Sequence, residues 1–120
     1  MEDYEKEIEL MKRLYARTGQ GAINWHRTDQ EEVYQAQFPE YDMQIFQRWP
    51  DENEDAYDTY LSILDKDGVL MESFSDTMIS QSESIGSDAF LFMRELFLMA
   101  RRISLGVEQA LDKLIEYLAE

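Results

Sequence analysis

Tyr57-Asp58-Thr59-Tyr60-Leu61-Ser62-Ile63-Leu64, then Asp65-Lys66-Asp67-Gly68, then Val69-Leu70-Met71-Glu72-Ser73-Phe74: residues 57–74 read as two strands and the turn that joins them. The first run alternates, with Leu61 and Ile63 on one face, and the second is equally rich in large apolar side chains. The link between them has turn chemistry, with Gly68 at the position that takes a positive φ. Parallel neighbours need a long crossover, so strands joined this tightly pair antiparallel.

The same pattern extends toward the N-terminus. Residues 41–49 form a strand with Tyr41, Met43, Ile45 and Trp49 on one face, followed by the polar loop 50–55. Pro39-Glu40 is a tight turn, and residues 32–38 precede it as a strand in which Tyr34, Ala36 and Phe38 alternate with Gln35 and Gln37. Residues 22–27 make a short strand, with Ile23 and Trp25 sharing a face and His26 turned to the other. Before these strands, Tyr4, Ile8, Met11, Leu14 and Tyr15 make an apolar stripe that predicts a helix over 2–17 ending at Gly19. After the hairpin, the Ser-rich stretch 75–87 reads as a loop. Ser87 is placed to cap a helix from Asp88, and 89–100 is apolar nearly all round, the mark of burial on more than one side. Gly106 breaks or bends that helix, and Val107, Ala110, Leu111, Leu114, Ile115 and Leu118 form a second stripe over 107–118. The expectation is α+β: an N-terminal helix, an antiparallel sheet of 4–5 strands and C-terminal helices packed on one face, in a single domain over 1–120.

Charge divides the chain unevenly. Residues 32–88 hold fourteen acidic and two basic side chains, −12 of a net charge of −15, while 1–31 hold −2 and 89–120 hold −1. A hydrophobic share of 44% and an aromatic share of 12% are enough for a folded core despite that acidity. So concentrated a negative field repels phosphates and attracts basic surfaces, which argues against direct nucleic acid binding and against anionic membranes. There is no cysteine, hence no disulfide or thiol chemistry, and the acidic start Met1-Glu2-Asp3-Tyr4 has no signal-peptide pattern. A cytoplasmic protein is the expectation.

Motifs for catalysis or cofactors are missing. Asp51, Asn53 and Asp55 open like a calcium loop, but Ala56 stands where glycine belongs and Ser62 where the closing glutamate belongs. That leaves a solvated loop. His26 is the only histidine, too few for a zinc site, and no nucleophile elbow accompanies it. No phosphate-cradling glycine pattern occurs. No cofactor and no metal are therefore expected, and an enzyme centred on His26 is the least favoured of the function classes. Arg101-Arg102 closes the apolar helix, where cations favour the helix dipole.

The outer face of the sheet is the more informative anomaly. If Leu61, Ile63, Val69 and Met71 face the helices, Tyr60, Leu64, Leu70 and Phe74 point away, joined by Phe46 and rimmed by Asp42, Asp58 and Glu72. A two-layer fold expects a polar face there. An apolar patch with an acidic rim suggests an interface, the alternative being that 75–87 folds over it. The expected partner-binding set is Asp42, Asp51, Glu52, Glu54, Asp55, Asp58, Tyr60, Leu64, Leu70 and Phe74. The expected partner is a basic protein surface, with a homodimer as one way to cover the patch.

Gly21-x-x-x-Trp25 after the first helix, the Asp65-Lys66-Asp67-Gly68 turn, and Ala100-Arg101-Arg102 before Gly106-Val107 give the chain a form that resembles small α-β-β-β-α proteins of bacterial and phage genomes. That resemblance implies no particular activity or site. In charge and size alone the chain is similar to acidic phage proteins that mimic DNA or block host defence enzymes. The functional expectation is a non-enzymatic acidic protein that inhibits or regulates a partner by occupying a basic surface. A different class stands beside it: a small-ligand domain with an aromatic pocket between helices and sheet, lined by Trp25, Trp49 and tyrosines.

Overall fold

Alternation and turn chemistry produce a five-stranded antiparallel meander with its helices on one face. The computed structural model describes residues 4–48 and 57–119. A first helix, α1, spans Glu5–Gly19; the strands are β1 (His26–Arg27), β2 (Tyr34–Gln37), β3 (Tyr41–Arg48), β4 (Asp58–Asp65) and β5 (Leu70–Ser75); the helices α2 (Asp76–Ile79), α3 (Asp88–Ser104) and α4 (Val107–Leu118) follow. The strands lie side by side in sequence order, every neighbour antiparallel. The two-layer α+β arrangement expected from the sequence is therefore the one observed.

The core lies between the sheet and α1 with α3. Ile8, Met11 and Leu14 come from one stripe of α1, Met93, Leu96, Phe97 and Ala100 from one stripe of α3, and Tyr34, Ala36, Met43, Ile45 and Leu61 from the strands. Trp25, just before β1, is buried among them, and its indole Nε1 donates to Thr18 Oγ1 at 3.1 Å, which satisfies the one polar atom it carries inward.

Several local expectations change. The strand expected over 22–27 is regular only at His26–Arg27, because the chain is still leaving the helix through Gly21, whose φ is +74°. That glycine, rather than Gly19, takes the left-handed position after α1. The stretch 75–87 holds a one-turn helix, α2: Ser75 caps it by accepting from the Met78 backbone N–H, and Ile79 and Ile85 enter the core. It closes the end of the core, and its Thr77 reaches Asp58 at one end of the outer sheet face. Ser87 makes no side-chain cap, because its backbone is already helical.

The most consequential correction concerns β5. Ile63 pairs with Glu72 and Leu64 with Leu70, so Met71 is an extra residue in a β-bulge. The bulge reverses the alternation beyond it. Leu70 stays on the outer face beside Leu64, but Phe74 pairs with Leu61 and is fully buried, at 0% exposure. Val69 and Met71, expected to face the helices, are exposed.

The long axis of the molecule measures 61 Å against 34 and 29 Å for the others. Gly106, at φ +67°, turns the chain between α3 and α4, and α4 buries none of its residues. On α3 the outward residues Phe90, Leu91 and Leu98 are also exposed, so this helix packs on one side only.

Candidate interaction surface

The outer sheet face is built by cross-strand register. Across its middle run Gln35, Gln44, Ser62 and Ser73, each opposite the next. Gln44 Nε2 donates to Gln35 Oε1 at 2.8 Å, and the Ser62 and Ser73 hydroxyls lie 3.0 Å apart, forming a belt of amides and hydroxyls. His26 stands at the edge of that belt, half-buried and opposite Gln35.

On one side of the belt lies an aromatic pair. Phe46 and Tyr60 are directly opposite, with ring centroids 5.5 Å apart and planes within 5° of parallel. The Arg48 guanidinium lies 4.9 Å from the Phe46 centroid and 5.9 Å from that of Tyr60, a cation held against both rings. Asp58 faces Arg48 across the strands and accepts from the Thr77 hydroxyl at 2.8 Å. On the other side of the belt Leu64 and Leu70 adjoin, and Asp42, opposite Leu64, accepts from Lys66 Nζ at 2.7 Å.

Of the expected partner-binding set, Asp42, Asp58, Tyr60, Leu64 and Leu70 thus share this face, while Phe74 does not. Asp51, Glu52, Glu54 and Asp55 lie outside the described residues, as does the calcium-like start Asp51-Asn53-Asp55. Among the described residues no group of three or more His, Asp or Glu is placed to hold a metal ion. No described helix is long and apolar enough to cross a membrane. Asp42 and Asp58 stand at opposite ends of the β3–β4 pair, roughly 20 Å apart at strand rise, with an uncharged middle. The described carboxylates of this face therefore form two separate rims rather than an even row.

Behind the face, Asp76 is buried, and burial pushes its carboxyl up to about 6 against stabilising backbone N–H groups of Thr59 and Thr77, with Asp58 adding to the rise. Glu72 is raised by burial first and then by Glu7 of α1, an acid pair across the helix–sheet boundary. In the helix layer, Tyr15 donates to Glu95 in a short contact that raises the phenol. Tyr34 is raised by burial first and then by Glu32, which also pairs with Arg101 at 3.3 Å.

Two clefts accompany these surfaces. A polar one of about 450 Å³ is lined by Arg27, Thr28, Glu32, Tyr34 and Arg101 among others, with Glu32 at φ +62°, a left-handed conformation unusual for glutamate. An apolar one of about 320 Å³ opens between α1 and the sheet, lined by Leu10, Leu14, Ile23, Phe38, Tyr41, Met43 and Ile63, with Arg13 and Arg17 beside them. The aromatic pocket expected around Trp25 and Trp49 differs from either. Trp25 is sealed in the core, and Trp49 lies outside the described residues.

Sequence reasoning missed the arginine on the aromatic pair. Phe46, Arg48 and Tyr60 meet only once the β3–β4 register is known, and the long acidic connection hides that register. Comparison with protein-family models, with curated proteins and with solved structures returned no match.

Proposed function

We propose that this protein acts without catalysis, by binding a basic protein surface through the outer face of its sheet. The observation that carries the reading is the placement of charge: −12 of the net −15 belongs to residues 32–88, the part of the chain that forms most of the sheet and its hairpins. Most basic side chains lie elsewhere, on α1 (Lys6, Lys12, Arg13, Arg17) and on α3 (Arg94, Arg101, Arg102), while Arg48 and Lys66 stand beside Asp58 and Asp42 at the two ends of the outer face. The net negative charge of that segment speeds encounter with a cationic partner. The stacked Phe46–Tyr60 pair with Arg48 supplies the kind of rigid aromatic and arginine anchor that dominates interface energetics. Asp42 and Asp58 then serve as a charged rim, where they select partner and orientation more than they add affinity.

Inhibition of the partner follows from occlusion. The narrower reading, blockade of a nucleic-acid-handling or host-defence enzyme with carboxylates standing in for phosphates, draws on the net charge alone, since the described outer-face acids are not evenly spaced. The test is capture from host lysate with mass spectrometry, at low and at physiological salt, with wild type and with a variant reversing Asp42, Asp51, Glu52, Glu54, Asp55 and Asp58. Exposed charges are screened beyond about 8 Å at physiological ionic strength. Basic proteins retained by wild type at low salt should be lost by the variant. An identical captured set for both baits, at either salt, overturns the electrostatic mechanism.

A further inference from the structure

One residue fastens two carboxyl groups at the end of the outer sheet face. Thr77, in the one-turn helix α2, donates its backbone N–H to Asp76 Oδ1 and its hydroxyl to Asp58 Oδ1, each at 2.8 Å. The two acids differ in their surroundings. Asp58 is half-buried on β4, opposite Arg48. Asp76 is 3% exposed, and among the described residues no cation lies within ion-pair distance of it. A carboxylate taken out of water without a cation is costly, and a neutral carboxyl in the same place is not. The other charged groups on the elements packed around α2 offer no compensation. On β5, Glu72 is turned to Glu7 of α1; on α3, Asp88 and Arg94 are exposed and Glu95 is bonded to Tyr15; on β4, Asp65 is held in the distant hairpin turn. Asp58, the near one, carries the same sign.

We infer that α2 is a pH-operated latch: with Asp76 protonated, residues 76–78 stay seated against β4, and with Asp76 ionised they lift and release Asp58 from Thr77. The fold bounds this movement on both sides. Ser75 is held in the sheet opposite Tyr60, and Ile79 is fully buried. Between them the turn is fastened by the Met78 N–H on Ser75 Oγ at 3.2 Å and by the Ser80 N–H on the Asp76 carbonyl at 2.9 Å. A segment so short opens locally, without unfolding the core.

Linkage gives the sign. The seated carboxyl titrates near 6 and a released one at its ordinary 3.8, so the seated state holds its proton more tightly. Opening is therefore favoured as pH rises, by about tenfold between pH 5 and pH 7.5. Lifting the turn leaves Asp58 without its internal donor, at the end of the face that carries Phe46, Tyr60 and Arg48. A lysine or arginine of the proposed partner then takes the place of Thr77, so binding tightens over the same range. That consequence rests on the proposed use of the outer face; the latch itself does not.

Amide hydrogen exchange of the free full chain, followed by NMR at pH 5 and pH 7.5 and corrected for intrinsic rates, tests the latch without any partner. The opening equilibrium at Met78 and Ser80 should rise about tenfold in wild type. Asp76→Asn should abolish the rise. Thr77→Val should increase opening at both pH values and keep the tenfold ratio, because it removes a fastening and not the titrating group. Should Asp76→Asn fail to fold, Asp58→Asn decides, since loss of the neighbouring charge should move the rise to lower pH. A wild-type ratio near one overturns the inference. So does opening of Met78 and Ser80 to the same extent as Ile45 in the core of β3, for then α2 moves only with the whole fold. A latch that works in the free chain, with basic proteins captured equally at both pH values, overturns the regulatory consequence alone.

Discussion

Trp25 and His26 are adjacent, and strand alternation sends them to opposite sides of the sheet. Trp25 is fully buried with its indole bonded to Thr18, so Trp25→Ala should cost about 3–5 kcal/mol, through lost contacts and an orphaned hydroxyl. His26 lies half-buried on the outer face, and His26→Gln should change stability by no more than about 0.5 kcal/mol. Urea unfolding of both variants checks the pair; a His26→Gln protein that keeps its stability but loses partner binding would place the histidine in the site. Asp76 carries the clearest pH dependence. Its folded carboxyl titrates near 6 instead of its ordinary 3.8, so between those values the folded state binds more protons than the unfolded one. Its contribution therefore favours folding below about pH 4, declines as pH rises through 6, and is unfavourable above. Asp76→Asn should melt higher than wild type at neutral pH, and the difference should close as pH falls to 4. A constant difference across that range would mean that Asp76 acts through packing and not through its charge. Neither its burial nor its neighbour Asp58 could be read from the Ser-rich segment that holds it, because burial there depends on α2 closing the core.

At the scale of elements, the β4–β5 hairpin shows where sequence reading succeeds and where it stops. Asp65 accepts from the backbone N–H groups of Asp67 and Val69, and Gly68 takes φ +84°, the turn that its composition announces. The bulge at Met71 has no such signature. Every residue from Val69 to Phe74 is compatible with a strand, and only pairing against β4 shows that one is supernumerary. Its energetic consequence is direct. Phe74→Ala should cost about 3–5 kcal/mol as a core truncation, whereas Leu70→Ala, at 60% exposure, should stay within about 0.5 kcal/mol. Chemical denaturation of the two variants distinguishes this register from the uninterrupted one, which would reverse the sensitivities. The same reasoning limits the site: Tyr60 and Leu64 were legible as outward residues from alternation alone, but Phe74 was not, and the cation on Phe46 and Tyr60 required the β3–β4 register.

For the whole molecule, charge is the dominant variable. A net charge of −15 on a chain this small means that folding gathers mutually repelling carboxylates. Added salt screens them, so the melting temperature should rise between about 20 and 500 mM NaCl, over which the screening length shrinks from tens of ångströms to a few. A melting temperature that falls with salt would show that attractive pairs such as Lys66–Asp42 outweigh the repulsion. Composition and periodicity by themselves determined the class of this protein, its three long helices and its antiparallel strands. They also located its charge, because these are properties of local spacing and of residue counts. Tertiary structure alone decided three things: which side of β5 faces the core, which residues meet on the outer face, and that α4 keeps its apolar stripe in the open. Each of these depends on contacts between segments distant in sequence, where a single extra residue or a single left-handed glycine redirects every side chain that follows.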